Sequence, residues 1–273
     1  MFSAGIDVGG KNVHIVIMHD GKVVAKAAGP TGSRKTEAAE KLYDKLLATV
    51  GITRSDVGQV VATGISGKRA PFAKVYIPDV TGDARGINTL FPSVRTVIDV
   101  GAEEARAIKV SPDGKVLDFA VNEKCAAGTG TFIETMARAL EITLEDMAEL
   151  SLASSKSILM NAQCAVFGES EVVSLIHQKA RKSDIARAVH DAIASRVASL
   201  GRLVGLEKDI AMVGGMAKNA GFVDSLKRGT RLDIIVPDDP DYVGALGAAV
   251  AAASYVVSGD VKSCIVEYEA ESS

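Results

Sequence analysis

A short motif occurs twice in the chain, and this repeat constrains the fold more than any other feature. Gly-Ile-Asp-Val-Gly at residues 5–9 and Val-Ile-Asp-Val-Gly at 97–101 are each followed by an apolar stretch and then by Asp-Gly-Lys-Val, at 20–23 and 113–116. Apolar stretches that alternate with Gly-containing turns are typical of β-hairpins, so each copy predicts three successive strands. Three features that recur in the same order favour a duplicated α/β domain over chance similarity between common turns.

Helical patterns lie between these strands. Apolar residues at helical spacing predict helices at 36–50, 79–90, 131–140, 144–152, 166–179, 183–204 and 242–258. Thr143 with Asp146 fits a capping box, and Ser183 offers good capping chemistry for the longest helix. We therefore expect a first α/β half over residues 1–95 that includes the returning helix 242–258, a second half over 96–241, and a tail at 259–273.

The composition excludes several classes of protein. The 273 residues carry 31 basic and 34 acidic side chains, aromatic residues make up 4%, and Trp is absent. These values argue against a basic face or a base-stacking platform for nucleic acid. The apolar stretch at 243–257 is too short to span a bilayer, and the first ten residues lack the pattern of a signal peptide. We expect a cytoplasmic protein with neither nucleic-acid nor membrane partners.

Three glycine turns, each after an apolar strand, indicate a nucleotide site. They are Asp-Val-Gly at 7–9, Asp-Val-Gly at 99–101 and Val-Gly-Gly at 213–215. Glycine lets the backbone approach a phosphate, which predicts phosphate contacts at Gly9, Gly10 and Gly101. A carboxylate at a strand end can hold Mg²⁺ or position the attacking water, so Asp7 and Asp99 are the candidate catalytic residues. Gly214 and Gly215 could lie flat against an adenosine, although each turn taken singly is also compatible with an ordinary loop.

Two other phosphate-binding motifs fit less well. Residues 5–11 read Gly-x-x-x-x-Gly-Lys, but Asn12 replaces the Ser or Thr of a P-loop, and Asp7 would lie inside the phosphate cradle. Gly-Thr-Gly at 128–130 lacks the third glycine of a dinucleotide fingerprint. Lys11 is either a phosphate contact or a solvated turn lysine.

Two of the three cysteines occupy equivalent positions before predicted helices. Cys125 and Cys164 each precede one, and a helix N-terminus favours the thiolate. Thiolates suit a metal or an iron–sulfur cluster, but a 4Fe–4S cluster usually takes four of them. A homodimer with two cysteines from each subunit would supply that number. Two buried, inert cysteines are the alternative from composition alone, and Cys264 in the polar tail is interpreted as incidental.

The cysteine segments resemble a known family. Cys-Ala-Ala-Gly-Thr-Gly-Thr-Phe from Cys125, followed after 39 residues by Cys-Ala-Val-Phe-Gly-Glu-Ser-Glu-Val from Cys164, is similar to the activators of 2-hydroxyacyl-CoA dehydratases and the ATPase subunits of benzoyl-CoA reductases. The resemblance extends over about residues 4–255 and includes the glycine turns, Ala-Thr-Gly at 62–64 and Gly-Ala-Leu-Gly-Ala-Ala at 244–249. The glycine turns are shared with the wider actin, Hsp70 and sugar-kinase superfamily.

This resemblance implies a duplicated actin-like fold of the acetate kinase type, with ATP and Mg²⁺ in an interdomain cleft. It implies one 4Fe–4S cluster shared between two subunits, with Cys125 and Cys164 as ligands. The two subunits would form a homodimer or a heterodimer with a paralogous ATPase subunit. ATP hydrolysis would drive a low-potential electron, received from ferredoxin or flavodoxin, to a partner iron–sulfur protein that reduces an acyl-CoA.

Three departures from the family pattern affect the choice within it. Residues 101–104 read Gly-Ala-Glu-Glu where the activators carry Gly-Gly-Gln-Asp, Gly-Lys-Asn-Val at 10–13 replaces a Ser/Thr-rich segment, and Asp83 replaces a histidine. They favour a subunit of a benzoyl-CoA reductase-type complex, with a free-standing dehydratase activator as the alternative. A small-metabolite kinase and a non-enzymatic actin-like scaffold are the rivals from other classes.

Overall fold

The structure is a computed structural model that describes residues 1–70, 72–122, 129–160 and 165–258. Its strands are β1 (Phe2–Val8), β2 (Asn12–His19), β3 (Lys22–Pro30), β4 (Val57–Thr63), β5 (Val75–Tyr76), β6 (Thr96–Val100), β7 (Ala105–Val110), β8 (Val116–Val121), β9 (Ile210–Val213) and β10 (Ile234–Ile235). Its helices are α1 (Lys35–Val50), α2 (Asp79–Leu90), α3 (Gly130–Ala139), α4 (Leu144–Ala153), α5 (Ala165–His177), α6 (Lys182–Leu203), α7 (Ala220–Thr230) and α8 (Val243–Ser258).

The chain forms two units with one five-stranded sheet each. The first comprises Met1–Thr89 and the described residues from Tyr242 onward, and the second comprises Leu90–Asp241. The strand orders are β3-β2-β1-β4-β5 and β8-β7-β6-β9-β10. In both sheets the first strand is antiparallel to the second and parallel to the fourth. The duplication predicted from the repeated motif is therefore confirmed, and the two sheets also share their strand order.

Helix α8 packs directly against the sheet of the first unit. A Cβ on Gly5 of β1 would lie 2.0 Å from the carbonyl oxygen of Ala245, so only glycine permits this approach. Small side chains on α8, such as Ala248 and Ala252, then pack with Val61 and Ile77. The Ala-rich composition of this helix is thus a packing requirement, because larger side chains would hold helix and sheet apart.

Helix α1 packs in the same unit. Its buried face contains Ala39, Tyr43, Leu46 and Leu47, and the helix ends at Gly51, whose φ is 78°. The structure centres the face on Tyr43, because that large ring is almost completely buried.

The second unit has a larger helical layer. Buried residues of β6 and β9 form one core with helices α3, α4, α6 and α7. Thr143 Oγ1 accepts a hydrogen bond from Asp146 N at 3.0 Å, which confirms the predicted capping box. The predicted cap of α6 is wrong, because this helix begins earlier, after Arg181, and has no side-chain cap. None of the helices in the described part of the chain has the length and apolar character required of a membrane span.

Candidate functional site

The carboxylate of Asp7 lies at the end of β1. Asp7 is opposite His14 of β2 in the strand register. The turn that follows is closed by a hydrogen bond from Gly9 N to Asn12 O at 3.0 Å. Gly64 follows β4 with a φ of 90°, and a Cβ there would lie 2.3 Å from Asp7 Oδ1. Glycine at this position therefore allows the backbone to approach the carboxylate closely.

A second carboxylate lies beside Asp7. A Cβ on Gly244, in the first turn of α8, would be 3.1 Å from Asp7 Oδ2 and 3.2 Å from Asp83 Oδ1. Asp83 is buried in α2, and the N-terminal end of α8 is electrostatically favourable for negative charge. Thr63 is fully buried next to Asp7 in the parallel register. The departure noted at Asp83 thus places two carboxylates at one helix end.

The second unit repeats this arrangement around Asp99. A hydrogen bond from Gly101 N to Glu104 O, at 2.9 Å, closes the turn after β6. Gly214 follows β9 with a φ of 83°, and a Cβ there would lie 2.2 Å from Asp99 Oδ1. Arg106, opposite Asp99 in the register, donates from Nη1 to Asp99 Oδ2 at 2.6 Å. Its Nη2 donates to Glu104 Oε2 at 2.5 Å, so one guanidinium connects both carboxylates.

The turn after Asp99 is also hydrogen-bonded to the start of α3. Gly130 N donates to Gly101 O at 2.9 Å, and Thr131 N donates to Ala102 O at 3.0 Å. Thr131 Oγ1 donates to the same Ala102 oxygen at 2.6 Å. The first turn of α3, which follows the Cys125 segment in the sequence, is thereby fixed to the glycine turn that follows Asp99.

The remaining predicted nucleotide contacts lie on the two glycine turns and after β9. Gly10 accepts a hydrogen bond from Thr31 Oγ1 at 3.1 Å, and the side chain of Lys11 is exposed. Gly214 N donates to Pro240 O at 2.9 Å, and Gly215 opens a short 3₁₀ turn with free space where a side chain would project. Each unit thus gathers its own predicted residues, with Asp7 in one unit and Asp99 in the other.

The predicted cluster ligands Cys125 and Cys164 lie outside the described residues, as does Cys264. In the sequence, Cys164 is the residue immediately before α5, and Cys125 precedes α3 by a few residues. Among the residues that the structure describes, no group of three His, Cys, Asp or Glu side chains could hold a metal ion.

Helix α5 has large apolar side chains on its surface. Val166 and Phe167 are 68% and 69% exposed, and Val173 and Ile176 follow further along the helix at 42% and 40%. Leu159, shortly before Cys164 in the sequence, is 95% exposed. Several exposed large apolar side chains on one helix are typical of an interaction site.

The chain belongs to the BadF/BadG/BcrA/BcrD ATPase family, whose model matches residues 4–252. It is 39% identical to the activator of lactoyl-CoA dehydratase from Anaerotignum propionicum, over 92% of this chain and 97% of that protein. It is 31% identical to one of the subunits of benzoyl-CoA reductase from Thauera aromatica, over 91% and 92%. Family membership predicted from the cysteine segments is therefore confirmed.

Solved structures agree with this assignment. The activator of 2-hydroxyisocaproyl-CoA dehydratase from Clostridium difficile, with bound ADPNP, superposes with a TM-score of 0.88 at 35% identity, over 95% of this chain and 97% of that one. A ROK family glucokinase from Streptomyces griseus, at 13% identity and a TM-score of 0.59 over 93% and 100%, shows only the shared fold. The predicted duplicated actin-like ATPase fold is confirmed.

The comparisons correct one preference from the sequence. The departures at 10–13, 83 and 101–104 favoured a benzoyl-CoA reductase-type subunit, but the identity to the dehydratase activator is higher than that to the reductase subunit. The alternative of a dehydratase activator is thus better supported. The departures lie in the turns after β1 and β6, at the start of β2, and at the buried Asp83 of α2.

Four residues around the two aspartates were not assigned a role from the sequence. They are Gly64, Asp83, Glu104 and Arg106. A signal for Arg106 exists, because it follows Asp99 by the same seven residues that separate His14 from Asp7. The sequence contains no comparable signal for Asp83, which reaches Asp7 only through the packing of α2 and α8.

Proposed function

We propose that this protein is an ATP-driven electron-transfer activator of a 2-hydroxyacyl-CoA dehydratase. The observation that supports this most strongly is the set of three hydrogen bonds between the Asp99 turn and the start of α3. These bonds connect a turn predicted to bind phosphate to a helix that directly follows the Cys125 segment. The high identity to dehydratase activators over nearly the whole chain supports the substrate class.

Asp7 and Asp99 carry the magnesium–phosphate chemistry in this proposal. Strand-end carboxylates can coordinate Mg²⁺ through water and orient the attacking water, while Mg²⁺ neutralises phosphate charge. Gly9, Gly10 and Gly101 admit the phosphates, Lys11 contributes a positive charge, and Gly214 with Gly215 packs on the adenosine. Asp83, beside Asp7, adds negative charge at a place suited to a hydrated cation.

Cys125 and Cys164 are the proposed ligands of one 4Fe–4S cluster shared by two subunits. The cluster, when bound, supplies a one-electron redox centre. The start of α5 immediately after Cys164 fits this role, because a helix N-terminus favours the thiolate over the thiol. A change at the Asp99 turn on hydrolysis would reach the start of α3 through Thr131.

The dimer is proposed to form along α5. The exposed Val166, Phe167 and Val173 would be buried against a second subunit, which would bring two copies of the Cys164 segment together. The partner would be an iron–sulfur dehydratase component, with ferredoxin or flavodoxin as the electron donor.

Iron analysis after anaerobic purification tests the proposal. We expect about two irons and two acid-labile sulfides per subunit, in a particle with the mass of a dimer. Cys125→Ala and Cys164→Ala should each lose the iron but retain ATP binding, and Cys264→Ala is the matched control that should keep both. An iron-free protein, even after anaerobic reconstitution, would contradict the redox proposal and leave a phosphotransferase or scaffold.

The acyl-CoA reductase alternative is tested separately. The holoprotein should support ATP-dependent dehydration by a 2-hydroxyacyl-CoA dehydratase component, while a benzoyl-CoA reductase core lacking its ATPase subunits should gain no activity. The reverse result would return the assignment to the reductase-type complex.

A further inference from the structure

The second unit holds Asp99, its proposed catalytic aspartate, in a fixed geometry. Asp99 Oδ2 accepts the 2.6 Å hydrogen bond from Arg106, and Asp99 Oδ1 faces Gly214 so closely that a Cβ there would overlap it. The Asp99 side chain is only 9% exposed. The hydrogen bond from Arg106 and the close approach of Gly214 therefore restrict the directions in which the carboxylate oxygens can point.

Arg106 is itself held in place. Its side chain is 12% exposed, and its second amino group donates to Glu104 Oε2 at 2.5 Å. Because the guanidinium is planar and its donors have a fixed spacing, contact with two carboxylates determines its orientation. Glu104 in turn belongs to the turn that Gly101 N closes, so the contact network returns to the predicted phosphate-binding glycine.

The charge of this cluster is also informative. Two carboxylates and one guanidinium leave a net charge of −1, so the group still attracts a hydrated cation or the hydrogens of a water molecule. The hydrogen bond that Arg106 donates to Asp99 Oδ2 fixes the direction of the carboxylate. A mobile aspartate would instead sample several rotamers and lose the fixed direction.

From this geometry, which rests on the proposed function, we infer that Arg106, held by Glu104, is a positioning residue for Asp99 in ATP hydrolysis. In this role Arg106 acts through Asp99. It fixes the Asp99 carboxylate so that the carboxylate meets the hydrated Mg²⁺ or the attacking water in one orientation. This inference assigns a role to Glu104 that the sequence did not provide.

The test measures ATP hydrolysis by the anaerobically purified full-length protein. Arg106→Ala should lower kcat about 10- to 100-fold, the range found when groups that orient a metal ligand are removed, and change KM for MgATP much less. Arg106→Lys retains the charge but cannot contact both carboxylates, so it should recover only part of kcat. Glu104→Gln should give a smaller loss of kcat than Arg106→Ala.

Chemical rescue separates positioning from a general effect on folding. Guanidinium chloride at millimolar concentration should raise kcat of Arg106→Ala but leave Asp99→Asn unchanged, because the added cation can act only where an aspartate is present. Arg54→Ala is the matched control. Arg54 also joins two carboxylates, Asp44 and Glu40, but lies at the surface of the first unit and should leave kcat unchanged.

Two results would overturn the inference. One is an Arg106→Ala protein that keeps the kcat of the parent, and the other is a loss of kcat in Arg106→Ala and Arg106→Lys that guanidinium fails to raise in the folded alanine variant. If Arg106→Ala does not fold, an unchanged kcat in both Arg106→Lys and Glu104→Gln overturns it equally. Absence of ATP hydrolysis in the unaltered protein would overturn the proposed function and this inference together.

Discussion

The two units have the same strand order, but different side chains surround Asp7 in the first and Asp99 in the second. Opposite Asp7 the register places His14, whereas opposite Asp99 it places Arg106, which also contacts Glu104. The turn of the first unit carries Lys11, and that of the second carries Glu103 at the equivalent position. Duplication therefore preserved the backbone that presents the carboxylates, while the charges around them diverged.

The connection between the third and fourth strands also differs. In the first unit the chain passes from β3 to β4 through α1, whereas in the second unit the path from β8 to β9 contains α3, α4, α5 and α6. Both cysteine segments belong to this longer connection. The fold thus confines the proposed redox function to one copy of the repeat, and the first copy retains the simpler α/β form.

Substitution of the glycine that closely approaches each aspartate should have the strongest effect, and it should be similar in both units. Gly64→Ala and Gly214→Ala each place a Cβ within 2.3 Å of an aspartate oxygen, at a positive φ. We expect each to lower the free energy of unfolding by about 4 kcal/mol or more and to abolish ATP binding. Urea unfolding and nucleotide titration measure the two effects.

Matched controls exist in both units. Gly51 and Gly205 also have positive φ values, of 78° and 72°, but a Cβ at either would meet nothing within 4 Å. Gly51→Ala and Gly205→Ala should therefore lower the free energy of unfolding by only about 1 kcal/mol, the cost of backbone strain alone. If Gly64→Ala destabilises the protein no more than Gly51→Ala does, the close approach of Gly64 to Asp7 is contradicted.

A decrease in pH should destabilise the second unit more than the first, because of a buried histidine in the second unit. His190 in α6 is fully buried, and burial lowers its pKa to about 4, with smaller effects of Asp191, which raises the pKa, and Arg228, which lowers it. The unfolded chain therefore binds more protons than the native one between pH 6.5 and 4, so stability falls as the pH decreases through that range. Between pH 7 and pH 5 this corresponds to roughly 2 kcal/mol.

Hydrogen exchange at pH 7 and at pH 5 measures this loss of stability separately for each region of the protein. In the parent, protection of α6 and α7 should fall more at pH 5 than protection of β1 and α1. His190→Leu should remove that difference, whereas His177→Gln, at an exposed position on α5, should keep it. Equal acid sensitivity of the parent and His190→Leu would contradict the assignment to His190.

Substitution of the charged residues on the turns after β1 and β6 should have the weakest effect. Lys11→Met should weaken MgATP binding up to about tenfold, or ~1.4 kcal/mol, because a positive charge near phosphate is lost. Glu103→Gln, at the equivalent position, should leave binding unchanged or tighten it slightly. Lys22→Met, at the start of β3 and beyond the opposite end of β2, is the control for a general loss of charge. Equal effects of Lys11→Met and Lys22→Met would leave Lys11 as a solvated turn residue.

Much of this architecture could be predicted because it depends on local patterns. The repeated Asp-x-Gly turns and the apolar stretches between them predicted both hairpins, and Thr143 with Asp146 predicted a helix start. The predicted cap at Ser183 failed because helix α6 begins a residue earlier, and Asp184 instead accepts a hydrogen bond from Ser154.

The surroundings of the aspartates were less predictable because they depend on tertiary contacts. Asp83 reaches Asp7 only where α2 and α8 pack on the first sheet, and Gly214 meets Asp99 through the pairing of distant strands. The surroundings of Arg106 were partly predictable. Its position opposite Asp99 follows from the hairpin register, but its contact with Glu104 depends on the shape of the turn.

The proposed coupling of ATP hydrolysis to electron transfer is tested by following the electron transfer itself. The reduced, iron-loaded protein is mixed anaerobically with a 2-hydroxyacyl-CoA dehydratase component, and reduction of that component is followed with MgATP, with ADPNP and without nucleotide. We predict rapid reduction with MgATP alone, and loss of both reduction and hydrolysis in Asp99→Asn. Reduction at the same rate without nucleotide would contradict the coupling of hydrolysis to electron transfer.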